Sequence, residues 1–489
     1  MAGRLSPPPG RPKEGSLPPG GKARSAKGAI MSPPAAGVSA QLAAFAARTQ
    51  WADLPDAVRH EAKRALVNFF GTALAGCRDP ALQAAERVFA RFRSGTECTV
   101  IGRPGGSDAL HAASLNAMSG NVFDFDDTHL PTIIHPTAPI APALLALAQA
   151  RPMTAAMTGP MTGRDLLLAF VIGVEIECRL GNAVSPWHYQ RGWHITSTCG
   201  VFGAAAACAR AMGLDGTRIA WALGSAAAQS SGLVETLGSM AKSIGVGNSA
   251  SNGLLSAMLA AEGFQGPLRP LEGPRGFLQV MGREPDLDSV TSGLGERWEL
   301  MNNTYKPYPC GVVLNPVIEA CLSLHRDPAL KLQEVVRVEL KGHSLLRERT
   351  DRPSPGSGRE AQVSAQHAVA VSLTLGRAGL DEFSDACAAD PGWRELGGKL
   401  AFVDDDSFGV ESATVALQLR DGSRLSRHVE AARGSLAVPL TDQELEAKLA
   451  ELAAWGGSGC PPAPLAEALW SLDTRADAGS MMLLAMPPG

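Results

Sequence analysis

Apolar side chains recur every three to four positions through most of the chain, so the polypeptide reads first as helix. Behind Asp56, which can cap a helix, Val58, Ala62, Ala65, Leu66, Phe69, Phe70, Ala73 and Leu74 form one continuous stripe. Further helices are predicted at about 80–93, 107–119, 138–150, 163–181, 197–212, 216–231 and 248–263, with Gly and Pro in the gaps. The texture changes after Gly273. Val336, Val338 and Leu340 alternate with polar residues, and Val415, Leu417 and Leu419 run into the turn pair Asp421-Gly422, so both read as strands. Helices at about 312–325, 361–377 and 393–401 interleave with them. The capping box Thr441-x-x-Glu444 then restarts helix. No internal repeat is visible.

These elements predict a mainly α fold. It comprises a large all-helical domain over 37–273, completed by 436–489, and a smaller α+β lid domain over 274–435. Residues 1–36 are basic, Pro/Gly-rich and without hydrophobic periodicity, which predicts a disordered tail. A dispensable tail, a transit peptide and an over-extended start are the three readings of it. The last, with Met31 as initiator, fits best because helical patterning begins soon after it.

Composition adds limits. Hydrophobic residues make up 45% of 489, charged residues 19% and aromatics only 5%. A core of small residues points to closely packed helices rather than a β-sandwich, and the low charge to surface buried in an oligomer. The formal net charge is −4 although the first thirty residues are basic, so the remainder is acidic and not built for nucleic acid. Nine cysteines without a CxxC imply reduced, buried thiols in a cytoplasmic protein. The longest apolar run, Leu166–Val174, is about half of a membrane span.

Candidate chemistry gathers in four windows. The first runs from Asp124 through Asp126, Asp127, Thr128 and His129 to His135, dense in carboxylates and imidazoles for so weakly charged a chain. Catalysis, helix capping by Asp127 or Thr128, and a metal site all fit it. The second holds His188 and His194 before the hydroxyl run Thr196-Ser197-Thr198, which suits an anion at a helix start or a solvated loop. The third, Met240 to Asn248, places Lys242 among small residues, as a carboxylate contact or a solvated Lys. It is neither a Walker loop nor a dinucleotide fingerprint. The fourth, Tyr305-Lys306-Pro307-Tyr308-Pro309-Cys310-Gly311, sets a Lys between two rigid turns, and Cys310 reads as a structural thiol.

Together the windows resemble the MmgE/PrpD family, which includes dehydratases of 2-methylcitrate, decarboxylases of cis-aconitate and epimerases of iminodisuccinate. The resemblance covers about residues 39–475 and rests on DFDDTHLPTIIHPTAPIAPALLALA, on GWH before an Ala-rich helix, on MAKSIGVGNSASNGLLSAMLAAEGF and on YKPYPCG. It implies a homodimer, a site between the helical domain and the lid, a small carboxylic acid as substrate, and no metal or organic cofactor. Carried over by motif, Asp124, His135, His194, Lys242 and Lys306 are the implied catalytic residues. Thr128, His367, Asn248 and Tyr308 are the implied substrate contacts.

The lysines would hold carboxylates and developing negative charge, an imidazole would move the proton, and Asp124 would orient it. Relatives often carry Arg and His where this chain has Ser243 and Gly245, and the decarboxylase pattern has Tyr where this chain has His367. Losing an Arg and a His favours a dicarboxylate or modified acid, with His367 restoring one contact from the lid. The resulting expectation is a cofactor-independent lyase that dehydrates a 2-methylcitrate-like acid. Decarboxylation of a cis-aconitate-like acid and epimerisation of an amino or imino dicarboxylate are the alternatives. A non-catalytic binding relative would not need Asp124, Thr128, His135, His194, Lys242 and Lys306 together.

Overall fold

The computed structural model describes residues 37–150 and 159–488. The tail over 1–36 and the start at Met31 therefore lie outside the described residues. The first helices are α1 (Val38–Arg48), α2 (Asp56–Gly76), α3 (Pro80–Phe89), α4 (Ala109–Asn121), α5 (Thr137–Gln149) and α6 (Gly163–Val184). They continue as α7 (Ile195–Ala211), α8 (Gly216–Ala227) and α9 (Ala241–Ala261). The fold is mainly α, as the periodicity predicts.

Three local readings are corrected. Asp56 is the first residue of α2 and does not cap it; Pro55 holds that place without a side-chain bond. Helix α9 begins at Ala241, about two turns before the expected 248. Gly245 and Gly247 mark close packing within it: a Cβ on Gly245 would meet Ser197 Oγ at 2.9 Å, and one on Gly247 Ser114 Oγ at 2.7 Å and Met118 Cγ at 2.8 Å. The expected helix at 393–401 ends at Gly397 and gives way to a strand.

That strand, β6 (Leu400–Asp404), belongs to a four-stranded sheet with β5 (Val335–Gly342), β7 (Ala413–Leu419) and β8 (Arg424–Val429), in the order β6-β5-β7-β8. Only β5–β6 is parallel. A bulge between Val335 and Arg337 shifts the register, so Val336 is exposed while Val338 and Leu340 are buried. Two short ladders precede this sheet: β1 (Cys98–Thr99) with β2 (Gly106–Ser107), and β3 (Asp127–His129) with β4 (Asn303–Tyr305).

Buried apolar side chains form two main clusters. The first runs from Val38 to Tyr305 and takes in Leu440, Leu445, Leu449, Leu465 and Met482 near the chain's end. The second runs from Cys310 to Leu419 and is built on the four-stranded sheet with Asn315–His325 and Ala365–Leu375. The change of cluster falls between Tyr305 and Cys310. Helix α12 (Asp442–Gly456, counting those two as α10 and α11) opens with the Thr441–Glu444 capping box and packs on α2. Among the described residues, no helix is long and apolar enough to cross a membrane, and all nine cysteines are free.

Helix α7 is the hub, packed against α6 and α9. Small residues permit this: a Cβ on Gly253 of α9 would meet Ala204 Cβ at 2.4 Å and Ala205 N at 2.9 Å. Gly253→Val should therefore destabilise the fold by about 1–3 kcal/mol through overpacking, read as a lower urea midpoint. An unchanged midpoint would mean that the α7–α9 contact yields freely.

Candidate active site

The site starts where α4 ends. Asn121 O accepts the Asp124 N–H at 3.1 Å, and Asp124 takes a left-handed φ of 52° that turns the chain sharply. A non-glycine residue there costs free energy and persists only when its surroundings fix it. The surroundings are explicit. Lys242 Nζ lies 2.7 Å from Asp124 Oδ1, Lys306 Nζ lies 3.1 Å from the same oxygen, and His135 Nε2 lies 3.5 Å from it. Lys306 also donates to Asp124 O at 3.0 Å.

Each side chain has a structural reason to be there. Strand β3 pairs with β4 in the register Asp127↔Tyr305, Thr128↔Thr304. One step further along that ladder brings Lys306 opposite Asp126, with 3.9 Å from Nζ to Oδ1. Lys242 stands in the first turn of α9. His194 precedes α7 as its N-cap, and its Nδ1 contacts Ser197 Oγ at 2.8 Å. His135 is held by its backbone N–H, which donates to Thr196 Oγ1 at 3.1 Å.

The tautomer of His135 follows from its partners. Asp127 O can only accept and lies 2.7 Å from Nδ1, so Nδ1 carries the proton. The neutral ring then presents an unprotonated Nε2 to the side where Asp124 and the lysines meet, which is the arrangement of a proton acceptor.

Electrostatics agree. Burial pushes the Asp124 carboxyl up, but Lys242, Lys306 and His135 together hold it well below the usual carboxylate range. Burial lowers His135 as well; Asp126 and Asp124 oppose this, and the lysines reinforce it. His194 is pushed down to about 3 by burial first, then by Lys242 and His135. Burial lowers Lys306 too, but Asp124 and Asp126 more than offset it and raise it overall. At neutral pH the site holds an ionised Asp124, a charged Lys306 and two neutral imidazoles.

Asp124, Thr128, His135, His194, Lys242 and Lys306 all line one cavity of about 270 Å³. The other three expected contacts do not. Asn248 is exposed on α9. Tyr308 packs against the second hydrophobic cluster. His367 is buried and bonded through Nε2 to Glu382 O at 2.7 Å, so it braces a loop and is not in the cavity lining. Two window histidines are likewise scaffold: His129 contacts Thr132 and Glu299, and His188 contacts Met281 O and Thr198. Cys310 is buried, with its thiol pushed up chiefly by that burial, and it lies outside the lining.

Other lining residues escaped the sequence reading. Tyr189 and Gln190 lay inside the second window, but Glu348, Arg349 and Arg352 come from a charged stretch that reads as solvated surface. Lys448 on α12 donates to Asn68 Oδ1, Phe125 O and Lys306 O, each at 2.8 Å, and so ties both lysine-bearing and acid-bearing loops together. Its signal was present: it occupies the apolar stripe of Leu445, Leu449 and Leu452. Asp124, Asp126 and His135 could chelate a cation by spacing. Two lysines already lie within 4 Å of Asp124, and their charge opposes one.

His194 should stay neutral across pH 5–8 in nitrogen-resolved NMR of histidine-labelled protein. Lys242→Met removes a neighbouring cation, so the His194 midpoint should rise while staying below the ordinary value of about 6.5. A wild-type midpoint near that value would reject the buried, cation-flanked site described above.

The chain matches the MmgE/PrpD N-terminal domain over residues 40–289 and the MmgE/PrpD C-terminal domain over 308–460. It is 26% identical to the human cis-aconitate decarboxylase, across 81% of this chain and 83% of that protein. It is 27% identical to a cis-aconitate decarboxylase-like protein of Aspergillus oryzae, across 93% and 98%, and 26% identical to the cis-aconitate decarboxylase of Aspergillus terreus, across 85% and 89%. With both of its domains matched in order around one cavity, the chain belongs to the MmgE/PrpD family.

Proposed function

We propose that this protein is a lyase that decarboxylates a cis-aconitate-like unsaturated polycarboxylate without a metal or organic cofactor. The observation that carries the reading is the meeting of Lys242, Lys306, His135 and His194 around Asp124 in one cavity. The named activity of the relatives favours decarboxylation over the dehydration of a 2-methylcitrate-like acid expected from sequence. The same proposal includes a lid over 274–435, a homodimer and a cytoplasmic location.

The chemistry needs few parts. The bond between a carboxylate carbon and its neighbour breaks, and CO₂ leaves. The electron pair stays on carbon and spreads over the adjacent double bond toward a remaining carboxylate. Lys242 and Lys306 stabilise that charge in a water-poor cavity, where a fixed cation acts more strongly than in bulk solvent. An imidazole then delivers a proton to the allylic carbon. Neither His is charged in the free site. The substrate's own carboxylates supply the missing negative charge, which raises an imidazole toward neutrality and lets it arrive protonated.

Purified protein incubated with cis-aconitate, 2-methylcitrate and iminodisuccinate should release CO₂ from the first, with one solvent deuteron incorporated per turnover in D₂O, followed by NMR. Dehydration of 2-methylcitrate without gas release would replace this reading with the dehydratase one. Loss of turnover with a chelator, restored by added metal, would defeat the cofactor-free claim. His194→Ala and Lys242→Ala should each abolish turnover with an unchanged circular dichroism spectrum, and near-normal rates in either would remove that residue from the site.

A further inference from the structure

The cavity wall carries two cations that the proposed chemistry does not use, Arg349 and Arg352, and Arg349 is the one stacked on an aromatic ring of the wall. Arg349 ends the short helix Ser344–Thr350, and its guanidinium carbon stands 4.9 Å over the Tyr189 ring. Its Nε is buried and without a hydrogen-bond partner among the described residues. Arg347, two positions earlier, is paired with Asp404 and faces away from the cavity lining. No such carboxylate serves Arg349 among the described residues.

A guanidinium stays charged at any physiological pH and offers a planar fork of donors matched to a carboxylate. Stacking on an aromatic ring fixes such a group without satisfying its N–H donors. Tyr189 also connects Arg349 with the reacting cluster. Its hydroxyl, raised by burial, feels first the charge of Arg349 and then those of Asp124 and Lys306. Arg349, Asp124, Lys242 and Lys306 thus face one space, with the apolar side chains of Ile133, Val312 and Val313 also in the wall. His367, expected to contact substrate from the 274–435 segment, is occupied elsewhere; Arg349, with Lys306 and Arg352, is among the residues of that segment that offer donors to the cavity.

We infer that Arg349 anchors a second, non-reacting carboxylate of the substrate, while Lys242 and Lys306 hold the carboxylate beside the reacting carbon. The enzyme then selects acids with two separated carboxylates and discriminates against monoacids. This assignment rests on the reading of the Asp124 cluster as the reacting centre.

The test uses calorimetric titration of the full chain with glutarate and with pentanoate, which carries a methyl group in place of one carboxylate. Wild type should bind glutarate more tightly. Arg349→Met should lose roughly 10- to 100-fold in glutarate affinity, as expected for hydrogen bonds to a charged group, with pentanoate binding unchanged. Arg349→Lys should recover part of the loss. Unchanged glutarate binding in Arg349→Met, or equal loss for both acids, would overturn the assignment. Pentanoate binding doubles as the check that the variant is folded. Turnover of cis-aconitate is scored separately. A selective glutarate loss in a protein that turns over nothing keeps the anchor and removes the lyase reading. Normal turnover with unaltered glutarate binding does the reverse.

Discussion

One carboxylate oxygen organises this protein. Asp124 Oδ1 accepts two ammonium groups, from Lys242 and Lys306, in a place with little water. Each charge there is costly alone and tolerable only beside the others. The arrangement therefore dictates much around it. It requires the left-handed turn at Asp124, the β3–β4 register that delivers Lys306, and a helix beginning early enough to place Lys242 in its first turn. Substituting Asp124 leaves both lysine charges without their shared partner, whereas loss of either lysine leaves one ion pair in place.

The same electrostatics set the resting state of the imidazoles. Burial, reinforced by Lys306 and Lys242 at His135 and by Lys242 at His194, keeps both rings neutral. The free site is thus poised but lacks its acid. Under the proposed function, an arriving polyanion would supply the field that changes this and so couple recognition of charge to competence for proton transfer. A neutral ligand of the same shape would leave the imidazoles as they were.

Much of this was legible in the sequence because it is local. The helices of the first cluster follow from 3.6-residue stripes, and the DFDDT, GWH and KPYPCG segments name Asp124, Thr128, His194 and Lys306 of the cavity's wall. What was not legible depends on contacts distant in sequence. The early start of α9 is invisible until Ser197 shows why Gly245, and Ser114 and Met118 why Gly247, are packed closely within a helix. His367 sits in a plausible motif, yet Glu382 O claims its ring. Arg349 lies in a run whose composition resembles ordinary surface, and only the Tyr189 ring gives it a different role. Lys448 is the intermediate case: a charge in an apolar stripe announces that something buried must accept it, without saying what.

What accepts it are the backbone carbonyls of Phe125 and Lys306, one beside each half of the charge cluster. The two loops are separated by some 180 residues, and the clasp that joins them is donated from a helix more than 140 residues further on. During synthesis the acid and both lysines emerge long before this clasp does. A nascent chain therefore holds Asp124, Lys242 and Lys306 yet lacks the piece that joins the backbones at Phe125 and Lys306. Assembly of the site is thereby tied to completion of nearly the whole polypeptide, so that a truncated product ending before α12 carries the residues of the site without its geometry.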